Sequence, residues 1–529
     1  MSTKTMSATM SATMSATMSA TMPAAMSALV DERRPISRGG EWTFELIEEY
    51  DREIRKVAVD EFGLDCYSNQ IEIISSEQML DGYASNGLPI GYPHWRFGKE
   101  FIRNEQSYRS GARGLAYEIV INSDPCIAYL MEENSMPMQA LVIAHASYGH
   151  NSFFKGNYLF RQWTSADAII DYMVFARKFV MECEEKYGIG AVEETLDSCH
   201  ALQDFGVNRY QHPAPLSAAE ERARAVEREA YAWKMHDEIW RTLPAREKAQ
   251  AKEATQDFPA EPQENLLYFI EKYSPRLAPW QRELVRIVRR VSQYFYPQGQ
   301  TKLMNEGWAT FWHYTILNRL YEKGLVDDGF MIEFLQSHTN VVGQRGFDEQ
   351  GYGGLNPYAL GFAMFQDIKR ICENPTEEDR AWFPDIAGSD WRKTLDSAMR
   401  NYKDESFIGQ FLSPKLIREF HLFAVADHEV EPTLEIAAIH NESGYRRVRK
   451  LLAQQYNRDS MLPDIQVTKY ARDSDRSLTV RHLIHRKRPL SDEASEVAKH
   501  LARLWGFCVR FESVEQSGEL RQVQEFYPS

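Results

Sequence analysis

From Trp42 onward the chain alternates between stretches in which apolar residues return every three or four positions and short breaks rich in Gly and Pro. That period marks helices with one buried face. The run Trp42-Thr43-Phe44-Glu45-Leu46-Ile47-Glu48-Glu49-Tyr50 opens the first of them. Residues 140–148 are largely apolar and residues 165–187 carry an apolar stripe at helical spacing, so the chain from 125 to 215 reads as mainly helical. The period resumes at Leu266 and again over 284–295. Residues 302–323 predict one long helix, stopped by Gly324 where a C-terminal glycine is expected. Helices continue to about Phe423.

Beyond residue 428 the period shortens. Residues 434–440, 465–470, 478–485 and 509–514 read as strands, with helices predicted over 444–455 and 492–505. The order βαββαβ is that of a ferredoxin-like module. The expected fold class is therefore α+β, with a large mainly helical core over 37–428, a ferredoxin-like module over 432–515 and a tail over 516–529. Residues 1–36 stand apart as a low-complexity leader. There the tetrad Met-Ser-Ala-Thr repeats from Met6 to Met22, and so little can be buried that disorder is expected.

Composition sharpens this picture in three places. A hydrophobic content of 43% with 12% aromatic residues belongs to a packed globular chain. The net charge of −15 argues against a general nucleic-acid binder, because phosphate contacts need a basic surface. Six scattered cysteines, with no CxxC pair, form neither a disulfide framework nor a cysteine zinc site. No apolar run approaches the roughly 18 residues of a membrane span. The expectation is a cytoplasmic protein with no membrane span and no nucleic-acid partner.

Candidate chemistry concentrates in two clusters. In Val142-Ile143-Ala144-His145-Ala146-Ser147-Tyr148-Gly149-His150, two histidines close an apolar run, and neutral imidazole is a common zinc ligand. A spacing of five sets them roughly 140° apart on a regular helix. Convergence on one ion needs a break or bulge, for which Gly149 is well placed. In Met304-Asn305-Glu306-Gly307-Trp308-Ala309-Thr310-Phe311-Trp312-His313, Glu306 sits in an otherwise apolar, aromatic helix. A carboxylate there needs compensation, from a metal, from a hydrogen-bond network or from an arginine such as Arg289 or Arg290. His313 lies on nearly the same face, roughly 10 Å further along the axis. It suits a supporting or substrate-facing role better than ligation beside Glu306.

Together the clusters resemble the gluzincin metallopeptidases, in which an HExxH helix is completed by a glutamate in an Asn-Glu-Gly-aromatic-Ala helix. Residues 305–309 match the second half. The first half departs: the histidines are five apart, and Ala146 stands where that family has its general base. The resemblance implies zinc held by His145, His150 and Glu306, with a base supplied from Glu132, Glu133 or His313. Of these, Glu133 and His313 are the catalytic candidates. His338, in an aromatic setting, reads as structural.

A second resemblance covers roughly residues 90–480. Tyr92-Pro93-His94-Trp95 with Phe97-Gly98-Lys99, Ala144-His145 with Gly149-His150 and Phe153-Phe154-Lys155, and the whole run 304–313 carry it. Ser337-His338-Thr339-Asn340, Asn356-Pro357-Tyr358-Ala359-Leu360-Gly361 and Arg476-Ser477-Leu478-Thr479 extend it. On these motifs the chain resembles the SpoVR (stage V sporulation protein R) family. The resemblance implies a role in spore-cortex formation in spore formers and a stationary-phase or stress role elsewhere, beside a PrkA-type serine protein kinase and a von Willebrand-domain protein. Three readings follow. One is a zinc-dependent amide hydrolase acting on peptidoglycan or a precursor. Another is a non-catalytic regulatory or scaffold protein working with the kinase through the C-terminal module. The third, a two-metal redox centre, requires additional carboxylates at the same place.

Overall fold

The computed structural model describes residues 35–84, 91–109, 118–210, 261–346, 352–426, 435–438, 441–484 and 492–528, with a few single positions besides. The expected leader lies, up to residue 34, outside the described residues.

A three-stranded sheet opens the part that carries the candidate chemistry. Its strands β1 (Asn69–Ile74), β2 (Glu118–Ile121) and β3 (Cys126–Met131) lie in the order β1-β3-β2, with β1 parallel and β2 antiparallel to β3. After β3 the chain turns into the helix Met136–Val142. Ser135 caps it by accepting from the Met138 amide, and Pro137 fills the first turn, where its missing N–H costs nothing. This helix runs into a π-helical segment, Ile143–His150, and then into Asn151–Gly156. Every residue from 136 to 154 is buried.

Two long helices pack across this segment. Lys302–Glu322 is buried around most of its circumference, from Leu303 to Leu320, which is why its sequence shows little amphipathic contrast. Pro357–Glu373 lies against it, capped by Asn356. The three segments approach at backbone distance because small residues sit at the crossings. A Cβ on Gly149 would stand 2.6 Å from Ala309 Cα. One on Gly307 would stand 2.4 Å from the Gly361 carbonyl carbon, and one on Gly361 would stand 2.3 Å from the Leu303 carbonyl oxygen. The largest hydrophobic core forms around these crossings, with Trp308, Phe365 and Phe407 deep inside it.

A second core joins parts far apart in sequence. Helices Ile169–Tyr187, Ile189–Ala201, Leu266–Tyr273 and Pro279–Gln300 pack with helix Asp492–Trp505 onto a four-stranded sheet. That sheet runs β6-β7-β8-β9: Asp464–Tyr470, Leu478–Ile484, Val509–Glu515 and Leu520–Phe526. Only β7 and β8 are parallel. No helix among the described residues is long and apolar enough to cross a membrane.

The protein is thus mostly helical with a small C-terminal sheet, but the ferredoxin-like order is corrected. The first expected strand, β5 (Glu435–Ala438), pairs with β4 (Ala424–Ala426) in a separate two-stranded sheet. Helix Glu442–Tyr456 buries Tyr445, Val448, Leu452 and Ala453 in the first core rather than on the four-stranded sheet. The expected tail instead supplies β9. Periodicity identifies a strand or a helix face; it does not say which apolar surface that face meets.

The Gly307–Gly361 crossing makes a direct prediction. Gly307→Ala places a methyl against backbone that cannot yield by changing rotamer, so it is expected to cost about 3 kcal/mol, the upper end of ordinary overpacking. Denaturant unfolding measures this; an unchanged midpoint would show that the helices do not meet there.

Candidate metal centre

The π-helical segment settles how two histidines five apart face one point. In an i→i+5 ladder, residues at that spacing stack nearly above one another, and such segments recur at functional sites. The His145 and His150 rings stand 4.6 Å apart between centroids, at 88° to each other. Gly149 does not break the helix. It admits the Glu306 helix at the Ala309 crossing, which brings Glu306 against both rings.

Two carboxylates meet the imidazoles. Glu306 Oε2 lies 3.5 Å from His150 Nε2 and 3.9 Å from His145 Nε2. Glu118 Oε1, from the first residue of β2, lies 3.2 Å from His145 Nε2 and 3.9 Å from His150 Nε2. The ligand atoms of Glu118, His145 and His150 all lie within 4.8 Å of one another. Glu118 is the residue the sequence reading missed. Its signal is there, a lone acid heading the apolar strand Glu118-Ile119-Val120-Ile121, by the same reasoning that singled out Glu306.

The far sides of the rings are also engaged. His150 Nδ1 lies 2.9 Å from Asn305 Oδ1, so it carries the hydrogen and donates. His145 Nδ1 lies 2.9 Å from His313 Nδ1, and His313 Nε2 lies 2.8 Å from His338 Nδ1. When His145 Nε2 offers its lone pair to a cation, the tautomers follow in sequence. His145 donates from Nδ1 to His313, and His313 donates from Nε2 to His338. His313 therefore stands behind His145, away from the carboxylates. His338, read as structural, ends the chain and packs on Tyr314 and Phe362 with ring centroids 4.9 Å away in each case.

Glu133 takes a different place. It is exposed in the turn after β3, and among the described residues the carboxylates that reach the imidazoles are Glu118 and Glu306. The arginines are committed elsewhere as well. Arg289 donates to the buried carboxylate of Glu271 at 3.0 Å, and Arg290 lies over the Tyr172 ring.

Burial and mutual charge set the protonation states. Burial pushes the Glu118 carboxyl up to about 7 against the pull of His145, with Glu306 adding to the rise. Burial acts the same way on Glu306, but hydrogen bonds from His145 and Tyr358 and the charges of His145 and His150 carry it below the ordinary range. On His145, burial disfavours the charged form, yet Glu118 and Glu306 outweigh it and hold the imidazolium above its usual range. His150 is pushed down to about 4 by burial and by His145, and His338 also to about 4, by burial first. His313 falls well below the usual value for the same first reason. At the root of the Glu306 helix, Asp404 accepts from the Leu303 and Met304 amides at 2.9 Å each, fixing the turn that carries Glu306. Two imidazole nitrogens and two carboxylates form a donor set that could hold a first-row divalent metal ion and that fits the oxygen-only preferences of calcium and magnesium poorly.

Similarity to known proteins extends over nearly the whole chain. The family profile described as SpoVR like protein matches residues 41–461, and that described as SpoVR-like C-terminal domain matches 463–516. A protein of Escherichia coli (strain K12) described as uncharacterized protein YcgB is 58% identical over 493 residues, covering 93% of this chain and 96% of that one. No solved structure is a significant match.

Proposed function

The chain belongs to the SpoVR-like family, and on that premise we propose that it is a zinc-dependent amide hydrolase whose substrate class is peptidoglycan or a peptidoglycan precursor. The observation that carries the reading is the convergence of His145 Nε2, His150 Nε2 and the Glu306 and Glu118 carboxylates on one buried point. His145, His150 and Glu306 would hold the ion, the donor set of many hydrolytic zinc sites. Zinc held there supplies Lewis acidity, polarising the scissile carbonyl and making a water more acidic.

This chain's residues supply the rest. Glu118 takes the place that Ala146 leaves vacant in the gluzincin-like pattern: it reaches the imidazoles from β2 and not from their own helix. Its carboxylate, beside the imidazoles at 3.2 Å from His145 Nε2, would take the proton of the attacking water and pass it to the departing amine. Asn305, His313 and His338 orient the two imidazoles and fix their tautomers. The cell-wall substrate class rests on the spore-cortex role that the family resemblance implies.

Purified protein is expected to carry one zinc per chain, and the His145→Ala, Glu306→Ala double variant to lose it. Full retention in that variant would sink the site, and two ions per chain would favour the two-metal redox reading, for which Glu118 is the extra carboxylate. Glu118→Gln is expected to keep the metal while turnover of cell-wall fragments drops by roughly 10²–10⁴. If metal-loaded wild type turns over no fragment in an unbiased hydrolase screen, the regulatory reading with a PrkA-type kinase displaces this one.

The histidine series gives a separate expectation. His338→Ala touches none of the groups around the ion, yet it removes the acceptor that orders His313. Zinc affinity, read by competition with a chromogenic chelator, should fall by roughly 10-fold or more. An unchanged affinity would mean that the series does not orient His145.

A further inference from the structure

The four-stranded sheet ends on β9 (Leu520–Phe526), and among the described residues nothing pairs with its outer edge. Soluble proteins usually blunt such an edge with Pro, Lys or a bulge, because unpaired backbone amides and carbonyls template another strand. This strand has seven residues, no Pro and no Lys, and its one register irregularity lies at its start, where Val514 faces Leu520. Leu520 and Val523 are half exposed, at 53% and 46%.

The order of residues along it is nearly its own mirror image: Leu520-Arg521-Gln522-Val523-Gln524-Glu525-Phe526. Laid antiparallel on a second copy with Val523 at the centre, Val523 meets Val523 and Gln522 meets Gln524. Arg521 then meets Glu525, and Leu520 meets Phe526. Of the two pairs that depart from mirror symmetry, Leu520 with Phe526 stays apolar, and Arg521 with Glu525 joins opposite charges, so that a two-fold axis makes each the partner of the other. Each Arg–Glu pair would occur twice, as an isologous interface requires, and directly opposite side chains of this kind attract across antiparallel strands. Within one chain these groups already have partners: Arg521 with Glu515 and Glu519, Glu525 with Arg510. All are more than a third exposed, with donors and lone pairs left for a second contact. Residues 521, 523 and 525 lie on one face, so the two charge pairs flank the central valines.

From this register we propose that β9 is a homodimerisation edge, joining two copies of the chain into one continuous eight-stranded sheet about a two-fold axis at Val523.

The test uses the full-length chain. Sedimentation velocity across a concentration series is expected to show a monomer–dimer equilibrium. Val523→Cys should be captured as a covalent dimer by a short bis-maleimide. Leu520→Cys should not, because in this register the two copies of residue 520 lie about 20 Å apart. The unsubstituted chain sets the background from its own cysteines. Arg521→Glu sets carboxylates opposite each other at both ends and should weaken the dimer roughly tenfold or more. Adding Glu525→Arg should restore it. A chain that is monomeric throughout overturns the proposal, and so does a dimer that captures Leu520→Cys in preference to Val523→Cys or ignores Arg521→Glu.

Discussion

Everything at the centre depends on how closely three buried helical segments approach one another. Helix Lys302–Glu322 is gripped from both sides, by Gly149 against Ala309 and by Gly361 against Gly307. Any side chain at these crossings would push the axes apart, and the Glu306 carboxylate would leave the imidazoles. Asp404 locks the same helix at its first turn, and Trp308 ties it to the segment after His150 by donating to Ser152 Oγ at 2.9 Å. The aromatic core around the crossings keeps this spacing rigid, since close-packed interiors shift between discrete arrangements and do not deform freely.

That rigidity is needed because the contents of the centre are costly. Two carboxylates and two imidazoles share a site whose side chains are all less than one-fifth exposed. An isolated buried charge is strongly disfavoured, and the protein answers with pairing: Glu118 and Glu306 against His145, and a Tyr358 hydrogen bond to Glu306. A divalent cation would complete that compensation, displacing the proton shared by His145 and the carboxylates and leaving neutral imidazoles as ligands. The groups behind the rings, Asn305 on one side and His313 with His338 on the other, leave both Nε2 atoms pointing the same way.

Much of this was legible in the sequence. The helix period located the buried segments, and polar groups stranded in apolar runs singled out His145, His150 and Glu306, which the structure brings together. A spacing of five was itself informative, since it demanded a non-α ladder, and a π-helical segment is what forms. Glu118 was missed because a strand four residues long gives too short a pattern for its lone acid to stand out. Glu133, a candidate base in the sequence, stands exposed in the turn after β3. His338 could not be placed, because its role arises from a contact 25 residues away along the chain. The C-terminal order failed for a related reason: strand and helix periods were right, but the partners of β5 and of helix Glu442–Tyr456 are set by surfaces that local pattern does not encode.

The most direct test of the centre is zinc K-edge X-ray absorption on the purified, zinc-loaded protein. Two imidazole nitrogens and carboxylate oxygens around one ion give a first shell of nitrogen and oxygen scatterers at about 2.0–2.2 Å, with imidazole multiple scattering that disappears in the His145→Ala, His150→Ala variant. A shell containing sulfur at about 2.3 Å, or a spectrum unchanged by removing the two histidines, would contradict it.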